Sequence, residues 1–219
     1  MQNLMNRKQQ MNGLYLLQQI PKESLRVVFF DPQYRGILDK LSYGNEGKSR
    51  GRERSNLTQM SEELITKFIG LIETTLVPNG YLFLWIDKYH LVNGIQHWLA
   101  HTPTLQTVDM IVWNKNKLGM GYRTRRISEY LIIIQKEPRQ AKKSWTLHNI
   151  PDVWTEKITN KIHIHQKPIG LQMQLILATT SPNDLVCDPA AGSYSVFTCC
   201  KSTGRNFIGC DIKFGEEQL

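Results

Sequence analysis

The tetrapeptide Asp31-Pro32-Gln33-Tyr34 brings a carboxylate, a rigid turn and an aromatic ring together directly after a short apolar run. The run, residues 26–30, contains β-branched and aromatic residues and predicts a buried strand. Proline cannot donate to a strand ladder, so the strand ends here. Ligands of open α/β sheets bind outside the carboxyl ends of strands, which makes this stretch a candidate site.

A carboxylate and a backbone carbonyl placed this way can accept the two N–H bonds of an exocyclic amine on a nucleobase. Such an amine is a poor nucleophile because its lone pair is delocalised into the ring, and preorganised acceptors favour its tetrahedral form. The Tyr34 ring can stack on a base that has left the duplex. Asp31, Pro32 and Tyr34 are therefore candidate catalytic residues. From these residues alone, a plain strand end remains an alternative.

A second candidate site lies late in the sequence, where a predicted strand at 185–187 runs into the small-residue turn 188–193. A helix and a strand follow, and the strand ends at Asp211. This order is that of a nucleoside-binding unit. Asp211 lies 19 positions beyond Gly192, close to the spacing of about 20 at which an acid meets a ribose. The turn lacks a complete GxGxxG motif. Taken without the other motifs, it also fits an ordinary strand-to-helix turn.

Apolar periodicity predicts the elements that position these two sites. The predicted helices are 12–20, 61–76, 91–101, 168–180 and 196–201, and the predicted strands are 26–30, 81–86, 107–113, 129–135, 185–187 and 206–210. Strands that alternate with helices predict one α/β domain over 1–219, with a doubly wound, mostly parallel sheet and helices on both faces. An antiparallel alternative stays open for the strand at 129–135.

Two basic segments that contain glycine follow predicted strand ends. Residues 35–60 contain few large apolar side chains, and we expect a mobile loop that contacts the phosphate backbone of DNA. Candidate DNA contacts are Arg35, Lys48, Arg50, Arg52 and Arg54 in this segment and Arg123 and Arg125 in the second. Residues 137–161 predict a small target-recognition insertion. The alternatives are a solvated surface loop for 35–60 and a simple connector for 137–161.

The composition limits the class of protein. A formal net charge of +8 favours a polyanionic partner, and a hydrophobic content of 41% excludes a disordered chain. The four cysteines form no CxxC pair and indicate free thiols in a reducing compartment. No apolar run reaches membrane-spanning length, and the first residues are polar. We expect a cytoplasmic protein with no membrane contact and no metal, since His163 and His165 lack further ligands.

Together these motifs resemble the amino-directed DNA methyltransferases that use S-adenosylmethionine, and their order resembles the β class, in which the catalytic half precedes the cofactor half. The tetrapeptide is similar to the family's Asp-Pro-Pro-Tyr, and residues 188–194 resemble its Asp-Pro-Phe-x-Gly-Ser-Gly turn. Residues 166–168, Gln-Lys-Pro, are similar to another cofactor-side motif. The sequence departs from the family pattern at Gln33, at Tyr194 in place of a second glycine, and at Asn12, where an acid is frequent.

The resemblance implies a Rossmann-like methyltransferase fold with circularly permuted motif order, in which strands 27–30 and 185–187 are neighbours at the topological switch point. It implies methyl transfer from S-adenosylmethionine to the N6 amine of adenine in double-stranded DNA, with the target base flipped out. Many cytosine-N4 members begin the tetrapeptide with Ser, so Asp31 favours adenine. Implied cofactor contacts are Asp188, Pro189, Ala191, Gly192, Ser193, Asp211, Lys167 and Asn12.

The resemblance also implies a homodimer. Two other functions stay open at this point. One is a catalytically inactive nucleic-acid-binding partner, which the departures at Gln33 and Tyr194 motivate. The other is a methyltransferase that acts on cytosine-N4 or on RNA.

Overall fold

A computed structural model of the 219-residue chain describes residues 2–33, 59–119, 123–159 and 166–217. Tyr34 and most of the predicted basic loop, residues 35–58, lie outside the described residues. The strands are β1 (Gln9–Gln10), β2 (Leu25–Phe30), β3 (Leu76–Ile86), β4 (Leu105–Asn114), β5 (Ser128–Lys136), β6 (Val153–Thr155), β7 (Leu185–Asp188), β8 (Asn206–Asp211) and β9 (Glu216–Glu217). The helices are α1 (Gly13–Gln19), α2 (Glu62–Thr75), α3 (Lys88–Asn93), α4 (Gln96–Leu99), α5 (Ala141–Ser144), α6 (Ile169–Thr179) and α7 (Ser195–Thr203).

In the described part of the chain the strands form one sheet in the order β6-β4-β5-β3-β2-β7-β8-β1-β9. The central strand β2 is parallel to β3 on one side and to β7 on the other. From this pair the chain crosses through α2 to β3 and through α7 to β8, so the sheet is doubly wound from a switch point between β2 and β7. β5 is antiparallel to β3 and β4, while the other ladders are parallel. The predicted fold class and the antiparallel alternative for residues 129–135 are both confirmed.

Two hydrophobic cores cover the two faces of the sheet. Val28 and Phe30 pack into the core that contains the apolar side of α2, whereas Val27 and Phe29 pack into the core that contains α6 and α7. Successive side chains of a strand point to opposite faces, so a strand that is covered on both faces must be apolar at every position. This explains the uninterrupted apolar run that leads to Asp31.

The boundaries of two helices follow from capping groups. The Ser61 hydroxyl accepts the Leu64 N–H at 3.2 Å and begins α2, as the sequence predicts. α6 begins after Pro168, whose side chain makes no capping bond. The Glu156 carboxylate instead accepts the N–H groups of Gly170 and Leu171 at 3.0 and 3.1 Å. An acid that follows β6 therefore satisfies the N-terminus of a helix distant in sequence.

Two sequence predictions are wrong in their boundaries. The single helix predicted at 91–101 is two short helices, because Gly94 has a positive φ of 82° and ends α3. The strand predicted from Tyr81 begins instead at Leu76, and a register shift against β2 follows the Leu25–Leu76 pair. Asn79, with a φ of 63°, lies within this irregular stretch.

The segment 137–159 packs against the sheet in the described residues. The Trp145 ring contacts Tyr81 at a centroid distance of 5.7 Å, and the Thr146 N–H donates to the Ala178 carbonyl at 2.7 Å. β6 extends the sheet beside β4. A role in target recognition stays a prediction for this segment. None of the helices that the structure describes is both long enough and apolar enough to span a bilayer.

The close contact between α1 and the β7–α7 turn makes Gly13 sensitive to substitution. A Cβ at Gly13 would lie 2.2 Å from the Pro189 carbonyl oxygen, so we expect Gly13→Ala to lower the free energy of unfolding by about 1–3 kcal/mol. Gly70, within α2, has no atom within 4 Å of the same position, and Gly70→Ala should raise that free energy by up to about 1 kcal/mol. Urea unfolding of both variants measures the difference. A neutral Gly13→Ala would contradict the packing described here.

Candidate active site

The two candidate sites of the sequence border one cavity of about 220 Å³. Val27 pairs with Val186 and Val28 with Cys187 in the parallel β2–β7 ladder, so both strands end at the same edge of the sheet. Asp31 directly follows β2, and Asp188 is the last residue of β7. Asp31 and Gly192 therefore line the same cavity although 161 positions separate them in the sequence.

The described part of the tetrapeptide, residues 31–33, lies at the rim of this cavity. Asp31 and Gln33 line it, 29% of the Asp31 side chain is exposed, and Pro32 is buried. The Gln33 carbonyl accepts the Met60 N–H at 2.6 Å, so a hydrogen bond joins the described residues on the two sides of the interval 34–58. Tyr34 lies outside the described residues. The structure thus places the Asp31 carboxylate at the cavity.

The turn after β7 is held against the end of β8. The Ala191 N–H donates to the Cys210 carbonyl at 2.9 Å, and the Gly192 N–H donates to Asp211 Oδ2 at 3.2 Å. Gly192 has a φ of 48°, in the left-handed region that glycine adopts without cost. The small side chains of this turn let a ligand approach the backbone closely. All eight residues that the sequence predicts as cofactor contacts line the cavity: Asn12, Lys167, Asp188, Pro189, Ala191, Gly192, Ser193 and Asp211.

Two of these residues also stabilise local structure. The Asn12 side chain accepts the Leu14 N–H at 2.8 Å and begins α1. Asp211 Oδ1 accepts the N–H groups of Lys213 and Phe214 at 2.7 and 3.1 Å. The Asp211 carboxylate thereby holds the segment after β8 and the Gly192 turn together beside the cavity.

Tyr194 occupies the position at which the resembling family often has glycine. Its φ is 57°, which is glycine-like, but its ring is 2% exposed and is not part of the cavity wall. The carbonyl oxygens of Gln9 and Phe214 share the single O–H of this hydroxyl, at 2.7 and 2.9 Å. The side chain therefore points into the protein and ties β1 to the start of α7. Approach of a ligand to the turn is not blocked by this ring.

Lys167 contacts the catalytic candidate directly, which sequence reasoning did not foresee. Its Nζ lies 2.9 Å from Asp31 Oδ2 and 2.9 Å from Glu129 Oε2, and it lies 5.0 Å from the centroid of the Trp85 ring. Lys115 Nζ contacts the other Glu129 oxygen at 2.7 Å. The order of the elements in the sequence does indicate that Lys167 lies near the candidate site. α6 precedes a parallel strand, so its N-terminus, beside Lys167, must lie at the carboxyl edge of the sheet.

The buried charges shift one another's pKa values. Burial raises the pKa of Asp31, although the Lys167 ammonium opposes this. The two lysines outweigh burial at Glu129 and lower the pKa of that carboxyl to about 2. Burial raises the pKa of Asp188 to about 8, and the nearby carboxylates of Asp31 and Asp211 act in the same direction.

The cavity combines a small-residue turn with the carboxyl groups of Asp31, Asp188 and Asp211. A nucleoside that carries positive charge matches this set, because a cationic ligand relieves the repulsion among the acids. S-adenosylmethionine has both properties, so the residues present fit it. Within the ranges that the structure describes, no cluster of His, Cys, Asp and Glu side chains is placed to hold a metal ion.

The connection between β4 and β5 lies at the same edge of the sheet. Ile86, at the end of β3, pairs with Tyr130 near the start of β5. Arg123 and Arg125 are exposed in this connection and outside the cavity wall, and Arg125 Nε donates to the Gly119 carbonyl at 2.6 Å. Arg35, Lys48, Arg50, Arg52 and Arg54 lie outside the described residues.

Comparison with known proteins agrees with this geometry. The family model described as DNA methylase matches residues 25–218. The chain belongs to the DNA methylase family. The Type II methyltransferase M.HhaII of Haemophilus parahaemolyticus, which is 61% identical over 216 residues, matches 99% of this chain and 95% of its own length.

Solved structures of other proteins share the fold of this chain. The complex of M1.HpyAVI with SAM has a TM-score of 0.64 at 20% identity and covers 94% of each chain. The cytosine-N4-specific PvuII DNA methyltransferase has a TM-score of 0.69 at 16% identity, over 93% of this chain and 80% of its own. At these sequence identities, the structural similarity shows the Rossmann-like fold of the chain and nothing more specific.

The raised pKa of Asp188 predicts how the free energy of unfolding changes with pH. Its folded-state pKa of about 8 lies above the ordinary value of 3.8, so the native protein holds this proton more tightly than the unfolded chain does. The stabilisation is complete below about pH 4 and is lost as the pH rises to about 8. Asp188→Asn stays neutral, so its free energy of unfolding should rise relative to wild type by up to about 1 kcal/mol per pH unit across this interval. Urea unfolding at several pH values measures this, and a constant difference would contradict it.

Proposed function

We propose that this protein transfers a methyl group from S-adenosylmethionine to the N6 amine of adenine within a short sequence of double-stranded DNA, with the target base flipped out. The observation that carries the proposal is the shared cavity. An amine acceptor, Asp31, and a nucleoside-binding turn, 188–193, border one space because β2 and β7 are neighbours. Membership of the DNA methylase family supports the reaction type.

Each candidate residue of the sequence has a role in this proposal. The Asp31 carboxylate and the Pro32 carbonyl accept the N–H bonds of the amine and favour its tetrahedral form. Tyr34 stacks on the flipped base. When bound, S-adenosylmethionine would supply an electrophilic methyl group on a sulfonium: the amine nitrogen would gain the methyl group, S-adenosylhomocysteine would leave as the neutral thioether, and water would take the proton that the nitrogen loses. The turn 188–193 and Asp211 hold the nucleoside part.

Asp31 at the first position of the tetrapeptide favours adenine over cytosine as the target base. The PvuII enzyme, a cytosine-N4-specific protein, shares the fold with this chain, so the fold does not select the base. The selection rests on the residues at the cavity rim. Mass analysis of nucleosides from methylated DNA distinguishes the two products.

Asp31→Asn tests the catalytic assignment. The amide keeps the size of the side chain and loses the charge, and transfer of labelled methyl to duplex DNA should fall by about 100-fold or more. Binding of duplex DNA should stay within about twofold of wild type, since phosphate contacts dominate affinity. The expected product of wild type is N6-methyladenine, and the variant should form it at a rate lower by about 100-fold or more. Equal, minimal incorporation by both proteins with intact DNA binding would instead favour a catalytically inactive binding partner.

Arg123→Gln and Arg125→Gln test the proposed DNA surface. Each removes one exposed cation at the carboxyl edge of the sheet. Affinity for duplex DNA should fall, and the slope of log K against log salt should decrease by about one for each phosphate that the variant no longer neutralises. Lys201→Gln is a matched control, because it removes an equal charge from the end of α7 that lies away from the cavity. Equal effects of all three substitutions on DNA affinity would contradict the assignment of Arg123 and Arg125 to the DNA-binding surface.

Two further points belong to this proposal. We place the protein in the cytoplasm, where DNA is accessible and thiols stay reduced. The buried free thiols of Cys187, Cys199, Cys200 and Cys210 agree with such a compartment. The family resemblance also favours a homodimer, which analytical ultracentrifugation with and without DNA measures.

A further inference from the structure

Four side chains of alternating charge form a line that ends at the catalytic candidate. The contacts are Lys115 to Glu129 at 2.7 Å, Glu129 to Lys167 at 2.9 Å and Lys167 to Asp31 at 2.9 Å. The side chains are between 12% and 29% exposed, so solvent screens these charges only in part. Lys115 directly follows β4, and Glu129 lies at the start of β5. Lys167 lies two residues before α6, and Asp31 directly follows β2.

The Lys167 ammonium is held by three groups of the protein. It bonds one oxygen each of Asp31 and Glu129 and faces the Trp85 ring. The ammonium has three N–H donors, and two of them are used by the carboxylates. A lysine placed in this way has little capacity left to bind a separate ligand.

The Asp31 carboxylate is held at one oxygen. Among the residues that the structure describes, Lys167 is the hydrogen-bond and ion-pair partner of this side chain, and the contact is to Oδ2. Oδ1 has no partner within those residues, and Asp31 lines the cavity. A carboxylate that is fixed at one oxygen presents the other in a defined direction.

We propose that Lys167 is a positioning residue for methyl transfer: its ammonium fixes Oδ2 of Asp31 and keeps the carboxylate ionised, so that Oδ1 accepts an N–H of the target amine. Glu129 in turn holds Lys167 in place. This inference rests on the proposed function for the identity of the amine. It assigns Lys167 an action on Asp31 rather than on the cofactor.

The charges that face Asp31 determine the sign of each variant's effect. Lys167 stabilises the ionised carboxylate, whereas Glu129 from β5 opposes ionisation. Asp188 from β7 also faces this group, and the Asp31 carboxylate raises the pKa of Asp188. Loss of Lys167 leaves a carboxylate among acids without its cation, and the pKa of Asp31 should rise by about one unit or more. Loss of the Glu129 charge should lower that pKa. Lys115 reaches Asp31 through Glu129 alone, so its loss should change the pKa of Asp31 least.

The first measurement does not require activity. Carbon-13 NMR titration of the Asp31 carboxyl, assigned by the resonance that disappears in Asp31→Asn, gives its pKa in wild type, Lys167→Met, Glu129→Gln and Lys115→Met. We expect a rise for Lys167→Met, a fall for Glu129→Gln and a small change for Lys115→Met. An unchanged pKa in Lys167→Met, with the variant folded by circular dichroism, overturns the inference even if wild type proves inactive.

The second measurement separates positioning from cofactor binding. Lys167→Met should lower the single-turnover rate of methyl transfer at neutral pH by about tenfold or more and move the acidic limb of its pH profile upward. The Kd for S-adenosylmethionine should stay within about threefold, and Lys167→Arg should recover part of the rate because it keeps the charge. A Kd that rises as much as the rate falls, with an unchanged pH profile, makes Lys167 a cofactor ligand and overturns the proposal. Absence of transfer in wild type would instead count against the proposed function.

Discussion

The parallel pairing of β2 with β7 is the constraint on which the site depends. These strands belong to opposite ends of the chain, and no local interaction brings them together. Their ladder joins Val27 to Val186 and Val28 to Cys187, all fully buried. A slip of one residue would exchange the side chains of the two cores and turn Asp31 away from the cavity. Packing on both faces of the sheet therefore determines where the catalytic candidate points.

The charges at the strand ends are the second feature of the site. β2, β7 and β8 each end at or beside an aspartate, and a cavity edge with three carboxylates opposes folding unless cations or N–H groups compensate. Lys167 compensates Asp31, and backbone N–H groups of the turn and of the segment after β8 compensate Asp188 and Asp211. The compensation at Asp188 is incomplete, as its raised pKa shows. A cationic ligand would therefore bind favourably beside these carboxyl groups.

Much of this arrangement was predictable because it depends on local chemistry. The apolar run before Asp31, the capping serine of α2 and the small residues after β7 each act through their immediate neighbours. Their consequences appear where the sequence predicts them. The adjacency of the two motifs was also predictable, since the topology of a doubly wound sheet has few alternatives.

Other features depended on contacts that no short window of sequence contains. Gly94 divides a periodic apolar stretch into two helices, because its backbone conformation overrides the pattern. Tyr194 looked unfavourable for a cofactor turn, but its hydroxyl finds carbonyl acceptors on β1 and after β8. Lys167 could be placed at the correct edge of the sheet, whereas its partners Asp31 and Glu129 come from two other strands. The direction of a long side chain is decided by such distant partners.

The account is tested most directly by a crystal structure of the protein with S-adenosylhomocysteine, the product form of the cofactor. We predict that the ligand occupies the cavity between Asp31 and Gly192, with its nucleoside against the turn 188–193 and its sulfur on the side of Asp31. A ligand bound elsewhere, or a structure in which Asp31 and Gly192 do not border the same ligand, would contradict the central claim that the two ends of the chain form one active site.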